Sequence, residues 1–108
     1  MVHRLEIATR PGLRDPRGEA LARTVREFLG IPAGSVRTRD VYKIDARLSE
    51  AELRRILHEF VDPIAQRGSV GRHDDGPFDV AVTVGFKPGV TDPVGKSARV
   101  GIEDTLGR

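Results

Sequence analysis

An eight-residue motif occurs twice in this chain, and this repeat constrains the fold more than any other feature. The first copy is PGLRDPRG at residues 11–18, and the second is PGVTDPVG at residues 88–95, 77 positions later. A gapless alignment of residues 3–30 with residues 80–107 gives seven identities in 28 positions, five of them inside the motif. Background usage of about 7% Gly and 5% Pro would rarely produce that order. The pattern therefore indicates an internal repeat.

The residue types in the motif predict a strand-to-helix turn. Proline fixes φ, and glycine accepts the positive φ that other residues avoid. Aspartate is a strong N-cap, and the proline after it suits the first position of a helix. We therefore assign a structural role, not a chemical one, to ten residues: Pro11, Gly12, Asp15, Pro16, Gly18, Pro88, Gly89, Asp92, Pro93 and Gly95.

Hydrophobic periodicity predicts a complete β-α-β-α-β unit over residues 1–67. Its elements are expected as strand 3–10, helix 16–29, strand 36–48, helix 50–60 and strand 64–67. Ser49 and Glu52 form a capping box at the second helix. The apolar stripe of the first helix is Leu21, Val25, Phe28 and Leu29. The predicted fold is α+β with two layers: a three-stranded, mainly antiparallel sheet with two helices on one face and solvent on the other.

The rest of the chain repeats only the first half of this unit. Residues 68–77 are rich in glycine and charge and predict a linker. Residues 78–108 then give a strand at 78–86 and a helix at 93–106, with Ala98, Ile102 and Leu106 matching Leu21, Val25 and Leu29. A lone strand and helix cannot bury their apolar faces. We expect residues 78–107 to dock on the first unit, on another copy of the chain, or on further sequence.

Composition narrows the class of protein. With 38% hydrophobic and 31% charged residues, the 108-residue chain fits a soluble globular protein, and its small size favours oligomerisation. Fifteen arginines lie among 16 acidic residues with a net charge of only +2, and few residues are aromatic, which argues against a nucleic-acid partner. The chain has no cysteine, so it has neither disulfides nor a thiolate nucleophile. Because no apolar window approaches membrane length, we expect no membrane contact and a cytoplasmic location.

The sequence contains no motif typical of catalysis, nucleotide binding or zinc binding. The sequence has no P-loop, no nucleotide-binding glycine motif after a strand, no nucleophile elbow and no zinc-ligand spacing. His73, Asp74 and Asp75 are the nearest approach to a metal cluster, but adjacent ligands in a flexible linker converge poorly on one ion. We interpret them as a solvated loop. The sequence thus predicts no catalytic, cofactor-binding or metal-binding residue on this chain.

The order of elements and motifs resembles a known family. The chain runs through a strand, Pro-Gly-x-x-Asp-Pro-x-Gly, a helix, a strand with Val41-Tyr42-Lys43-Ile44, a second helix and then Asp62-Pro63-Ile64. This order is similar to that of the small PurS-type component of phosphoribosylformylglycinamidine synthase. The resemblance covers residues 3–67 as a complete unit. Residues 78–107 resemble the opening of a second unit, as in the N-terminal region of a fused PurS–PurL enzyme.

The resemblance implies a role in assembly. Members of the family pair their units through their sheets, carry no active site, and bridge a PurQ-type glutaminase to a PurL-type synthetase. The complex converts formylglycinamide ribonucleotide to formylglycinamidine ribonucleotide in purine synthesis, with ammonia from glutamine, and ATP and Mg on the synthetase. The chain would then be part of a ligase complex without an active site of its own.

Two alternatives stay open at this point. The extra half-unit suits either a piece of a longer fusion or a short chain with a partial repeat. A ferredoxin-like or ACT-like regulatory module that binds a small ligand between paired units has the same two-layer architecture.

Overall fold

Three strands form one antiparallel sheet in the order β2-β1-β3, so that the first strand lies in the middle. The structure is a computed structural model, and it describes residues 1–32, 34–71, 78, 80–87 and 89–107. The elements are β1 (Val2–Thr9), α1 (Pro16–Phe28), β2 (Arg39–Asp45), α2 (Glu50–Phe60), β3 (Gln66–Val70) and α3 (Pro93–Leu106). The predicted α+β class and the β-α-β-α-β order are confirmed.

The register of the sheet separates two faces. Leu5 lies opposite Tyr42 on β2 and Val70 on β3, whereas Glu6 lies opposite Val41 and Ser69. Because side chains alternate along a strand, the side chains that share a face with Leu5 form what we call the helix face. The other surface, the open face, carries Arg4, Glu6, Ala8, Arg39, Lys43 and Arg67.

The core joins the sheet to α2 and α3. Leu5, Leu53 and Ile56 are buried, and Ile102 and Leu106 of α3 pack against them together with Tyr42, Ile44, Leu48, Leu57 and Phe60. Arg55 donates a hydrogen bond to the Thr105 carbonyl at 2.7 Å. Helix α3 therefore docks on the first unit and covers part of its core.

The two copies of the motif have the same backbone conformation. Asp15 has φ −109° and ψ 94°, and Asp92 has φ −107° and ψ 94°. Gly12 and Gly89 both have positive φ, at 87° and 84°, where only glycine is unstrained. The tandem-repeat interpretation stays a prediction, and these equal angles support it.

The third strand and the linker differ from their predicted positions. The strand expected at 64–67 is Gln66–Val70, so the first residues of the linker predicted at 68–77 belong to the sheet. A β-carbon on Gly68 would lie 2.8 Å from Val61 Cγ2 and 2.9 Å from Leu57 Cδ2. Glycine is therefore used here so that the end of α2 can approach the sheet, not as a mark of a loop. Residues 72–77 lie outside the described residues.

The strand predicted at 78–86 does not form in the described part of that segment. Residues 78 and 80–87 are not part of a strand, and Val82 and Val84 are 81% and 91% exposed. Strand geometry needs a hydrogen-bonded neighbour, which periodicity alone cannot supply.

The apolar stripe predicted on α1 also lies largely in solvent. Ala22 is buried, but Leu21 is 49% exposed and Phe28 is 80% exposed. The helix that packs beside α2 is α3 instead. The radius of gyration of 15.6 Å exceeds the roughly 13 Å expected for a compact domain of this length, in keeping with these unburied elements.

Candidate functional site

Asp15 connects the start of α1 to the start of β2. Its Oδ1 accepts a hydrogen bond from the Gly18 N–H at 2.9 Å, which is the N-cap bond. Its Oδ2 accepts from the Thr38 N–H at 2.6 Å, and the Thr38 hydroxyl lies 2.8 Å from the same oxygen. The carboxylate is thus a cap within its own helix and a tertiary link to residue 38.

Several opposing influences set the pKa of this carboxyl. Burial, the largest of them, raises the pKa of Asp15, but the hydrogen bonds from Gly18 and Thr38 and the positive charge of Arg37 together outweigh it. The pKa is therefore lowered from the ordinary value. A carboxylate that accepts several hydrogen bonds is stabilised in its charged form, so Asp15 is an ionised structural group and a poor proton donor.

Two arginines make further hydrogen bonds around Asp15, where the start of α1 meets the start of β2. Arg37 donates to the carbonyls of Leu13, Thr9 and Arg10 at 2.9 to 3.3 Å. Arg17 donates to Asp40 at 3.0 Å. Beside them lies a cleft of about 330 Å³ lined by Ile7, Thr9, Asp15, Arg17, Thr38, Asp40 and Gln66 among others. Its charged groups are largely occupied with one another, which favours a structural role for the cleft.

A buried carboxylate lies on the open face of the sheet. Glu6 is fully buried, and it accepts hydrogen bonds from Arg4 and from Arg39, the latter at 2.9 Å. A buried acid is stable only when it is paired. The two arginines, themselves a third and a quarter exposed, give the open face a positively charged rim around this acid.

A second cleft, of about 560 Å³, lies between α2 and α3. It is lined by Arg54, Arg55, His58, Glu59, Asp104 and Thr105. All of these except the partly buried Thr105 are exposed, so the cleft is an open, charged surface groove. No observation favours a small ligand there, and the ferredoxin-like or ACT-like module stays a prediction.

The structure brings only part of the predicted motif into one place. Asp15 and Gly18 meet residues 36–38, and a β-carbon on Gly18 would lie 2.2 Å from the Val36 carbonyl oxygen. Asp92 and Gly95 repeat the cap bond at 2.8 Å, but Asp92 is exposed. Pro88 lies outside the described residues. Sequence reasoning found the cap but missed Thr38, because no local pattern marks a partner 23 residues away.

Glu6 was missed for a similar reason. In the sequence it is an ordinary polar residue on the wet side of a half-buried strand. Its burial depends on Arg39, which the strand register brings opposite Ala8, next to Glu6. No signal in the sequence gives that register.

The described residues show neither a metal-ligand cluster nor a membrane-spanning helix. Within residues 1–32, 34–71, 78, 80–87 and 89–107, no three His, Asp or Glu residues are grouped to hold a metal ion. His73, Asp74 and Asp75 lie outside this part of the chain. Among the described helices, none has the length and apolar content needed to cross a bilayer.

Comparison with known proteins gives structural matches. No protein-family model matches the sequence, and no curated protein matches it significantly. PurS from Thermus thermophilus superposes with a TM-score of 0.56 at 22% identity, over 70% of this chain and 96% of that one. PurS from Methanocaldococcus jannaschii, described as a subunit of formylglycinamide ribonucleotide amidotransferase in the purine biosynthetic pathway, gives 0.53 at 18% identity, over 65% and 92%.

These matches establish the fold. Nearly the whole of each PurS chain has a counterpart here, although the sequences have diverged widely. The resemblance to PurS that the sequence motifs indicated is confirmed at the level of the fold.

Proposed function

We propose that this chain is a non-catalytic, PurS-type assembly component of phosphoribosylformylglycinamidine synthase. The observation that carries the proposal is the structural match to PurS from Thermus thermophilus, which spans 96% of that protein. A match over almost the entire neighbour means that the shared part is a whole PurS unit and not a fragment of a common supersecondary motif.

The contacts of the two buried carboxylates, Asp15 and Glu6, support an assembly role. Asp15 caps α1 and holds Thr38, and Glu6 accepts hydrogen bonds from both Arg4 and Arg39 on the open face. Enzymes place their perturbed acids and bases where a substrate can reach them. Here the two buried carboxylates hold elements of the fold together.

In the proposed role the chain bridges a PurL-type synthetase and a PurQ-type glutaminase. The glutaminase releases ammonia from glutamine, and the synthetase uses ATP and Mg to convert formylglycinamide ribonucleotide to formylglycinamidine ribonucleotide. All of this chemistry lies on the partner subunits. The lack of cysteine in this chain agrees with that division, because a thiol nucleophile for glutamine hydrolysis must come from elsewhere.

Reconstitution tests the proposal. The full chain is mixed with the synthetase and the glutaminase from the same source, and formation of the amidine product is followed with glutamine as the nitrogen donor. We expect the rate to depend on the chain and the three proteins to co-elute from a sizing column.

Ammonia in place of glutamine is the internal control. A bridging component is needed chiefly when nitrogen passes between subunits, so we expect the ammonia-supported rate to depend less on the chain than the glutamine-supported rate does. Absence of co-elution together with an unchanged glutamine-supported rate would contradict the proposal.

A further inference from the structure

The open face of the sheet gathers positive charge around one buried acid. Glu6 lies on the middle strand, and the register sets one row of residues before it and one row after it on the same face. With about 3.4 Å per residue and 4.8 Å between strands, these rows enclose an area of roughly 14 by 10 Å. Four basic residues occupy the rows: Arg4 and Lys43 in one, Arg39 and Arg67 in the other.

This face holds the charge surplus of the chain. Its four basic and two acidic side chains, the latter being Glu6 and Asp45, give a charge of +2, which is the formal net charge of all 108 residues. Asp45, at the end of the face, lies 3.4 Å from the N-terminal amine and is matched by it. The remaining residues are therefore balanced in charge. The strand register collects in one place basic residues that are dispersed along the sequence.

Glu6 fixes the orientation of two of these arginines. Its buried carboxylate accepts hydrogen bonds from Arg4 Nε and from Arg39 Nη1. Among the described residues, the Arg4 side chain makes no other hydrogen bond, although one third of it is exposed. The terminal nitrogens of Arg4, Nη1 and Nη2, therefore remain as donors for a second carboxylate, in the paired geometry that arginine favours.

We propose that the open face is a docking surface for an acidic patch on another protein. Carboxylates of that protein pair with Arg4 and Lys43 in one row and with Arg39 and Arg67 in the other. A surface with one sign of charge selects a partner of the opposite sign and speeds its approach. For the identity of the partner, the inference rests on the proposed function, which makes it a subunit of the synthase complex.

Other occupants suit this surface less well. Small ligands bind in concave sites, and neither of the two clefts described above is lined by any of the four basic residues. Single-stranded nucleic acid needs aromatic rings for base stacking, but Tyr42 lies on the helix face, edge to face with Phe60. A second copy of the chain presents the same positive face, and like charges repel each other.

Two matched lysine variants test the surface. Lys43→Glu lies on the open face and Lys96→Glu lies on α3, and both side chains are exposed. The two substitutions change the net charge equally. The full chain and each variant are titrated against labelled poly-L-glutamate, with circular dichroism to verify the fold. We expect Lys43→Glu to raise the dissociation constant at least about fivefold and Lys96→Glu to change it less than about twofold. High ionic strength should remove this difference.

Three results of these titrations would overturn the inference. The first is no binding of poly-L-glutamate by the natural chain, and the second is an equal effect of the two substitutions. The third is tighter binding to a DNA duplex than to poly-L-glutamate, which would make nucleic acid the occupant. Sedimentation adds a fourth, because weaker self-association of Lys43→Glu than of Lys96→Glu would make a second copy the occupant.

The same variants separate this inference from the proposed function. Each is mixed with the synthetase and the glutaminase and passed over a sizing column. We expect the natural chain and Lys96→Glu to co-elute with these subunits and Lys43→Glu to be lost from the complex. Co-elution of all three would overturn the inference and leave the proposed function intact. If the natural chain does not co-elute, the proposed function fails, and the poly-L-glutamate titration alone decides whether the open face binds an acidic surface.

Discussion

The carboxylate of Asp15 holds Thr38 from both its backbone and its side chain, with donor–acceptor distances of 2.6 and 2.8 Å to Oδ2. Asp92, at the equivalent position of the second motif, makes the same cap bond at an exposed site. A comparison of the two aspartates therefore distinguishes the contribution of the cap bond from that of the hydrogen bonds to Thr38.

Replacement of each aspartate by alanine measures the two contributions. Asp15→Ala should lower the free energy of unfolding by about 2–3 kcal/mol, because it removes a cap worth about 1 kcal/mol and buried hydrogen bonds to a charged group. Asp92→Ala should cost only about 1 kcal/mol. Urea denaturation gives both values, and equal losses would mean that the Thr38 link contributes nothing.

Low pH should weaken the hydrogen bonds that the Asp15 carboxylate accepts from Gly18 and Thr38. The pKa of Asp15 is lowered in the folded protein, so its stabilising contribution is complete above the ordinary value of 3.8 and is lost as pH falls through the folded-state pKa. Asp15→Asn keeps a competent cap but removes the charge. The stability difference between the natural chain and this variant should therefore be largest near neutral pH and shrink below about pH 4. Denaturation at several pH values checks this, and a constant difference down to pH 2 would refute it.

The buried acid on the open face should be sensitive to loss of its charge. Glu6→Gln keeps the shape but removes the negative charge that accepts hydrogen bonds from Arg4 and Arg39. We expect the free energy of unfolding to fall by about 2 kcal/mol, moderated because both arginines are partly solvated. The control is Asp45→Asn, which breaks only an ion pair with the N-terminal amine that is exposed on both sides. It should leave the denaturation midpoint nearly unchanged. A Glu6→Gln variant as stable as this control would show that the arginines do not need the acid.

Docking of α3 can be measured with two aliphatic residues of the same helix. Ile102→Ala removes packing against the core and should cost about 1–3 kcal/mol, less than a fully buried site because Ile102 is only partly buried. Val100→Ala removes an exposed side chain and should change stability by less than about 0.5 kcal/mol. If the two variants unfold at the same urea concentration, α3 does not contribute to the core.

Elements whose boundaries depend on neighbouring residues could be predicted from the sequence. Helix α2 begins after Ser49, which makes the predicted capping box with Glu52. Helix α3 begins after Asp92, as expected. The chemistry that starts a helix lies within three or four residues, so it can be read locally.

Features that depend on distant residues could not be predicted in this way. The sequence predicts that the third strand ends too early, because Gly68 is typical of a loop, and only the approach of Leu57 and Val61 explains the glycine. The burial of Glu6 depends on register with β2, and the role of Thr38 depends on how the chain returns to α1. The apolar side chains of α1 are exposed because α3, and not α1, packs beside α2.

The exposed residues 80–86 also affect how the protein behaves when it is produced. Residues 80–86 read VAVTVGF, a run with high strand propensity and without charge or proline, which is the composition of segments that stack into fibrils. While this run is exposed, aggregation through it competes with correct assembly. We therefore expect the yield of soluble chain to fall steeply as its concentration rises when the chain is produced alone.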